Sequence, residues 1–168
     1  GEETSFLNQT ISGGTVTLYD GLGSPVNVQL RWGKTASASG GGTDTWQLFY
    51  MSNPNATGTA VKWTNAGQTF TFNSSGAMTA PTGSPSIANL TVGGTNLGNI
   101  QLDLGLTQFA AVSGQVQTSA LRQDGYPAGD LDSISVSSDG RVVAAYSNGQ
   151  TTSLAQISVA QFNAANML

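Results

Sequence analysis

Pro25-Val26-Asn27-Val28-Gln29-Leu30-Arg31-Trp32 decides the fold. Apolar side chains stand at Val26, Val28, Leu30 and Trp32, and polar ones at Asn27, Gln29 and Arg31. A period of two puts one set on each face of a pleated strand, so the segment reads as a half-buried antiparallel strand. Just upstream, Thr15-Val16-Thr17-Leu18-Tyr19 is β-branched and aromatic, and Asp20-Gly21-Leu22-Gly23-Ser24 collects turn residues. Together they predict a hairpin.

The same alternation continues outward. Trp46, Leu48 and Tyr50 share one face of a next strand, and Phe70 and Phe72 share a face in residues 68–72, before the turn Asn73-Ser74-Ser75-Gly76. Ile100, Leu102 and Leu104 alternate in residues 99–104, and Gly93-Gly94 reads as a hairpin tip. In the last third, residues 130–136 and 141–146 predict strands around the turn Ser138-Asp139-Gly140. After Ser147-Asn148-Gly149-Gln150, residues 153–162 predict a strand long enough to bend or bulge. Short strands between such turns define an all-β sandwich or barrel. No segment carries a 3.6-residue stripe; residues 106–116 come nearest to a helical turn. Residues 36–43 and 77–86 read as loops, and Glu2 and Glu3 as part of a mobile tail. A domain boundary is expected near residues 111–119, where the composition turns small and polar. The roughly 55 residues after it are few for a core of their own.

Composition excludes much chemistry. The 168 residues carry 5 Lys+Arg against 9 Asp+Glu, for a net charge of −4, with no Cys and no His. Zinc sites of the usual ligands, disulfides, and Ser–His or Cys–His dyads are therefore out of reach. Five scattered cations cannot bind nucleic acid by charge, and no apolar run spans a membrane. Only 8% of residues are charged, while Ser, Thr, Asn and Gln number 63. Such a surface has little long-range repulsion and suits a subunit packed among identical copies, and equally a secreted, cysteine-free bacterial β-protein.

The acidic residues are the only candidates for chemistry. Asp124, Asp130 and Asp132 lie close in sequence and offer oxygens to Ca²⁺, but no calcium-loop spacing is present, and the adjoining glycines mark them as turn residues. Asp20 and Asp139 also sit beside Gly in turns. A glycosidase pair would have to come from Asp20, Asp44, Asp103 and the later aspartates, which read as turn or strand-surface positions. Trp32, Trp46, Trp63, Phe49 and Tyr50 could stack on sugars. Alternation places Trp32, Trp46 and Tyr50 in the core instead and leaves Trp63 as the partly exposed one. Catalytic, cofactor and metal sites are all expected to be absent. Asn-x-Ser/Thr triplets at Asn8, Asn55, Asn73 and Asn89 are what chance gives in such a composition.

Asp124-Gly125-Tyr126-Pro127-Ala128-Gly129-Asp130-Leu131 resembles the DGY-x-x-G-x-L signature of flagellar axial proteins. Val136-Ser137-Ser138-Asp139-Gly140, Tyr146-Ser147-Asn148-Gly149-Gln150 and Leu154-Ala155-Gln156-Ile157-Ser158-Val159-Ala160-Gln161-Phe162-Asn163 follow it in order. The set resembles the stretch before the C-terminal helix of hook and distal rod proteins. Val16-Thr17-Leu18-Tyr19-Asp20-Gly21-Leu22-Gly23 and Leu106-Thr107-Gln108-Phe109-Ala110 resemble the segments that open and close the inserted outer domain of the hook family.

That resemblance implies a fragment without its two helical termini. Residues 13–112 would form an outer β-barrel domain. Residues 1–12 and 113–168 would belong to a middle β-rich domain whose remainder lies upstream. It implies a non-enzymatic subunit of an extracellular hook, the bent joint between motor and filament of the flagellum. Its partners would be copies of itself, the rod and the hook–filament junction proteins, with no nucleic acid, membrane or cofactor. The chain alone would be monomeric. A distal rod or hook-associated protein, or a sugar-binding β-module, stands as the alternative.

Overall fold

The computed structural model describes residues 2–38, 43–109 and 120–158. They fall into two compact units, Gly1–Gly125 and Tyr126–Leu168. The chain is mostly β.

In the first unit, α1 (Glu2–Gln9) leads into β1 (Thr10–Tyr19), β2 (Pro25–Ala36), β3 (Asp44–Met51), β4 (Trp63–Phe72) and β5 (Met78–Ala80), then β6 (Ser86–Val92) and β7 (Thr95–Gln101). The first five strands form one antiparallel half-barrel sheet in chain order, and β6 and β7 form a separate hairpin. The alternation around Trp32 is realised as predicted. Val28, Leu48, Tyr50, Ala66, Phe70 and Phe72 on the sheet close on Ile87, Leu90 and Val92 of the hairpin. Trp32 meets Phe70 edge to face, with ring centroids 4.9 Å apart. The hairpin tip is Gly93-Gly94, whose φ values of 58° and 88° give the two-residue turn that matches strand twist. Asp20 holds the β1–β2 turn by accepting hydrogen bonds from Leu22 N and Ser24 N at 2.9 and 2.8 Å.

Three expectations change here. Residues 2–9 are helical and not a tail. Their helix is too short to be stable alone and is held by the sheet. Residues 77–86 contain β5. The alternation of residues 99–104 continues, with Leu102 and Leu104 packed on the core, but β7 ends at Gln101, past which Leu102 N still donates to Pro85 O at 2.7 Å.

In the second unit, β8 (Leu131–Val136), β9 (Arg141–Tyr146) and β10 (Thr151–Gln156) form a three-stranded antiparallel sheet with β9 central. The last strand starts at Thr151 and ends at Gln156, with its irregularity between Ser153 and Ala155. Every strand pair of both units carries at least one register shift. The expected boundary at 111–119, residues 39–42 of the first glycine-rich loop, 110–116 of the weak helical stretch and 159–162 of the last strand lie outside the described residues.

Candidate interaction surfaces

Asp20 holds a turn, and Asp44 and Asp139 pair with Lys34 and Arg141. Among the described residues no group of three or more His, Cys, Asp or Glu gathers, and Asp124, Asp130 and Asp132 are exposed. Asp130 instead uses its main chain: its N–H donates to Ser147 Oγ and its carbonyl accepts from Ser147 N, both at 2.9 Å. Asn148 Nδ2 donates to Pro127 O at 2.7 Å, and a Cβ on Gly129 would stand 2.6 Å from Asn148 Cγ. The Asp124–Leu131 motif and the Ser147-Asn148-Gly149 turn are thus two halves of one clip. Asp139 bonds Ser137 Oγ and pairs with Arg141 at 3.0 Å, and these contacts hold its carboxyl below the usual range, the serine hydroxyl foremost.

Asp44 sits in a denser node at the end of β3. Lys34 Nζ lies 2.8 Å away, Ala38 N donates at 2.8 Å, and Gln108 Nε2 donates to the second oxygen. The lysine, the backbone donor and the amide, in that order, hold its carboxyl well below the usual range. Gln108 Oε1 accepts from Trp46 Nε1 at 3.0 Å, and Gln108 N donates to Gly76 O at 2.8 Å. The segment after β7 is therefore fastened to the sheet at Gln108.

Trp32, Trp46, Tyr50, Phe49 and Trp63 do not share one face of the sheet. Tyr50 is buried, and Trp32 and Trp46 pack on the core. Phe49 and Trp63 lie on the opposite face, under α1: Phe6 meets Phe49 at 5.2 Å and Trp63 at 5.5 Å. The Arg31 guanidinium lies over Trp63, 5.8 Å from its ring centre. The Trp63 indole N–H is buried without a hydrogen-bond partner. Arg31 Nε donates to Thr10 Oγ1 at 2.7 Å, and Nη2 donates to Leu7 O and Thr10 O at 3.0 and 2.7 Å. It supplies the positive charge that the end of α1 lacks in its own sequence. Alternation placed Arg31 away from the core, but nothing local announced that it caps a helix.

Antiparallel order puts the β2–β3 and β3–β4 connections at opposite ends of β3. In the second unit, Leu131, Ile134 and Val136 of β8 are each more than half exposed, as is Leu154 of β10. No helix among the described residues is long and apolar enough to cross a membrane.

The first unit is a half-barrel sheet closed by a hairpin, with Asp20 and Asp44 bound into a turn and a fastening. The flagellar basal body protein FlaE D2 domain family matches residues 8–126, and the chain belongs to that family, which is structural and non-enzymatic. The chain is 31% identical over 149 residues to the flagellar hook protein FlgE of Salmonella typhimurium and 30% identical to that of Escherichia coli. Each match covers 89% of this chain, which spans about a third (34%) of the length of either relative. A Helicobacter pylori hook protein FlgE is 45% identical over 58 residues, covering 34% of this chain and 8% of the relative. The crystal structure of Helicobacter pylori flagellar hook protein FlgE2 aligns with a TM-score of 0.46 at 19% identity, over 88% of this chain and 32% of that one.

Proposed function

We propose that this chain is the outer part of a flagellar hook subunit, the bending joint that passes torque from motor to filament. The observation that carries the reading is the match to hook proteins over nearly the whole chain. In this reading the subunit is extracellular, polymerises with copies of itself, and meets rod and junction proteins at the two ends of the hook. Residues 13–112 act as the outer domain. Residues 1–12 and 113–168 belong to a second domain. The exposed apolar face of β8 supports that assignment, because three strands need a covered face to be stable.

A bending tube must lengthen on one side and shorten on the other at every turn. Subunits that slide past one another need wet, polar contacts and not a wide dry interface. We assign those axial contacts to the loops at 36–43 and 52–59. Their placement at opposite ends of β3 supports head-to-tail stacking, which a contact repeated along a filament requires. Without the rest of the subunit, such weak contacts do not repay the entropy of association, so this chain alone is monomeric.

The test is immunogold electron microscopy with antiserum against this chain, on cells and purified hook–basal bodies. Gold confined to the curved segment between envelope and filament supports the hook. Gold on the rod or at the filament junction overturns it in favour of another axial protein. Gold nowhere on the flagellum overturns the axial reading altogether.

A further inference from the structure

Two chain segments attach at one end of the five-stranded sheet. The incoming one is α1, which feeds β1 at Thr10; the outgoing one ends at Gln108. Thr10 stands opposite Gly33 on β2, and Gly33 opposite Gln47 on β3. Gln108 is bonded to Trp46 and Asp44, on the rungs that follow. The two fastenings are therefore close along the sheet but on opposite faces. Arg31 and Phe49 hold α1 on the outer face, and Trp46 holds Gln108 on the core side.

Each fastening has several contacts engaged together. Arg31 donates one hydrogen bond to Leu7 O in the last turn of α1 and two to Thr10 where β1 begins, while Phe6 wedges between Phe49 and Trp63. Gln108 uses its amide oxygen, amide nitrogen and main-chain nitrogen at once. Bonds loaded in parallel share a force and fail together, whereas bonds loaded in series open one at a time.

We infer that Arg31 and Gln108 are paired mechanical anchors: they make α1 and the outgoing segment part of the sheet's rigid body, so that bending compliance lies outside residues 6–108. This stands on the sheet geometry; its meaning for a bending tube rests on the proposed function. Gly33 fits the same design, since a Cβ there would stand 3.1 Å from the Phe49 ring and 3.3 Å from Thr10 Cγ2.

The test is optical-tweezers extension of this chain, with cysteine handles at Thr4→Cys and Phe109→Cys. Both positions are exposed, and the natural sequence has no Cys. The parent is expected to show no lengthening before one cooperative rupture. Arg31→Met and Gln108→Met should each add an early low-force extension while the main rupture stays at the parent force. Parent-like traces in both variants would overturn the inference, as would an early extension in the parent. A variant without any main rupture would also overturn it, because its residue would then hold the sheet itself. Conservative Arg31→Lys, which keeps the charge but not the fork, should behave like Arg31→Met. The assay uses no flagellum, so its failure leaves the hook reading intact.

Discussion

Gly76 and Gln108 are fitted to each other backbone to backbone: Gln108 N donates to Gly76 O at 2.8 Å, and a Cβ on Gly76 would fall deep inside the Gln108 carbonyl oxygen. Gly76 also has φ 81°, where side chains other than glycine's are strained. Gly67 has a similar φ of 76° and nothing within 4 Å of its missing Cβ. Gly67→Ala therefore measures strain alone, about 1–2 kcal/mol. Gly76→Ala should cost more than Gly67→Ala in urea unfolding, and should speed hydrogen exchange at the Gln108 amide. Equal costs would refute the close fit.

Asp44 should give the first unit an acid-sensitive component. Its carboxyl is held below its ordinary value by Lys34, Ala38 N and Gln108. The folded state thus prefers the charged form. This contribution is complete above the ordinary aspartate value of about 3.9 and is lost as pH falls below it toward the folded value. Asp44→Asn should lower stability at neutral pH and flatten the loss below about pH 4. Thermal unfolding of both proteins across that range checks it; parallel acid limbs would rule it out.

Trp46 and Trp63 should separate under the same substitution. Trp46→Phe removes a hydrogen bond to Gln108 and should cost about 1 kcal/mol beyond the loss of ring area. Trp63→Phe removes a buried N–H that has no partner, so relief of that donor offsets the smaller ring. Denaturation midpoints of the two variants should rank Trp63→Phe as the milder.

Gly129 and Asn148 should couple. Gly129→Ala forces a methyl against the Asn148 side chain, and Asn148→Ala removes both that side chain and its bond to Pro127. The double variant should be less unstable than the sum of the singles, since the second change clears the space the first one fills. Exchange of the Asp130 amide reads the second unit directly. Strict additivity would mean that the two motifs do not form one clip.

The strands were legible because their faces differ: Val28, Leu48 and Phe70 lie inside, and Asn27 and Gln29 outside. Asp20 was legible as a turn residue because its partners are two and four residues away. The helix was not legible, since Glu2–Gln9 has no buried residue and takes its order from Phe49, Trp63 and Arg31, which lie 24 or more residues downstream of Leu7. β5 escaped because three residues carry no measurable period. The Gln108 node joins residues 62 and 64 positions apart, and only the resemblance of Thr107-Gln108-Phe109 pointed toward it.

The broken registers have a bearing on crowding. A near-neutral β-protein held at high density beside its own copies risks fusing edge to edge into one continuous ladder. The outer strands here offer no clean template: β1 is interrupted between Ser12 and Gly14, β8 between Leu131 and Ser133, β10 between Ser153 and Ala155, and β5 is three residues long. In the proposed hook, neighbouring copies would thereby be denied the stiff, irreversible mode of association that strand pairing brings, and would be left with reversible contact through loops and side chains.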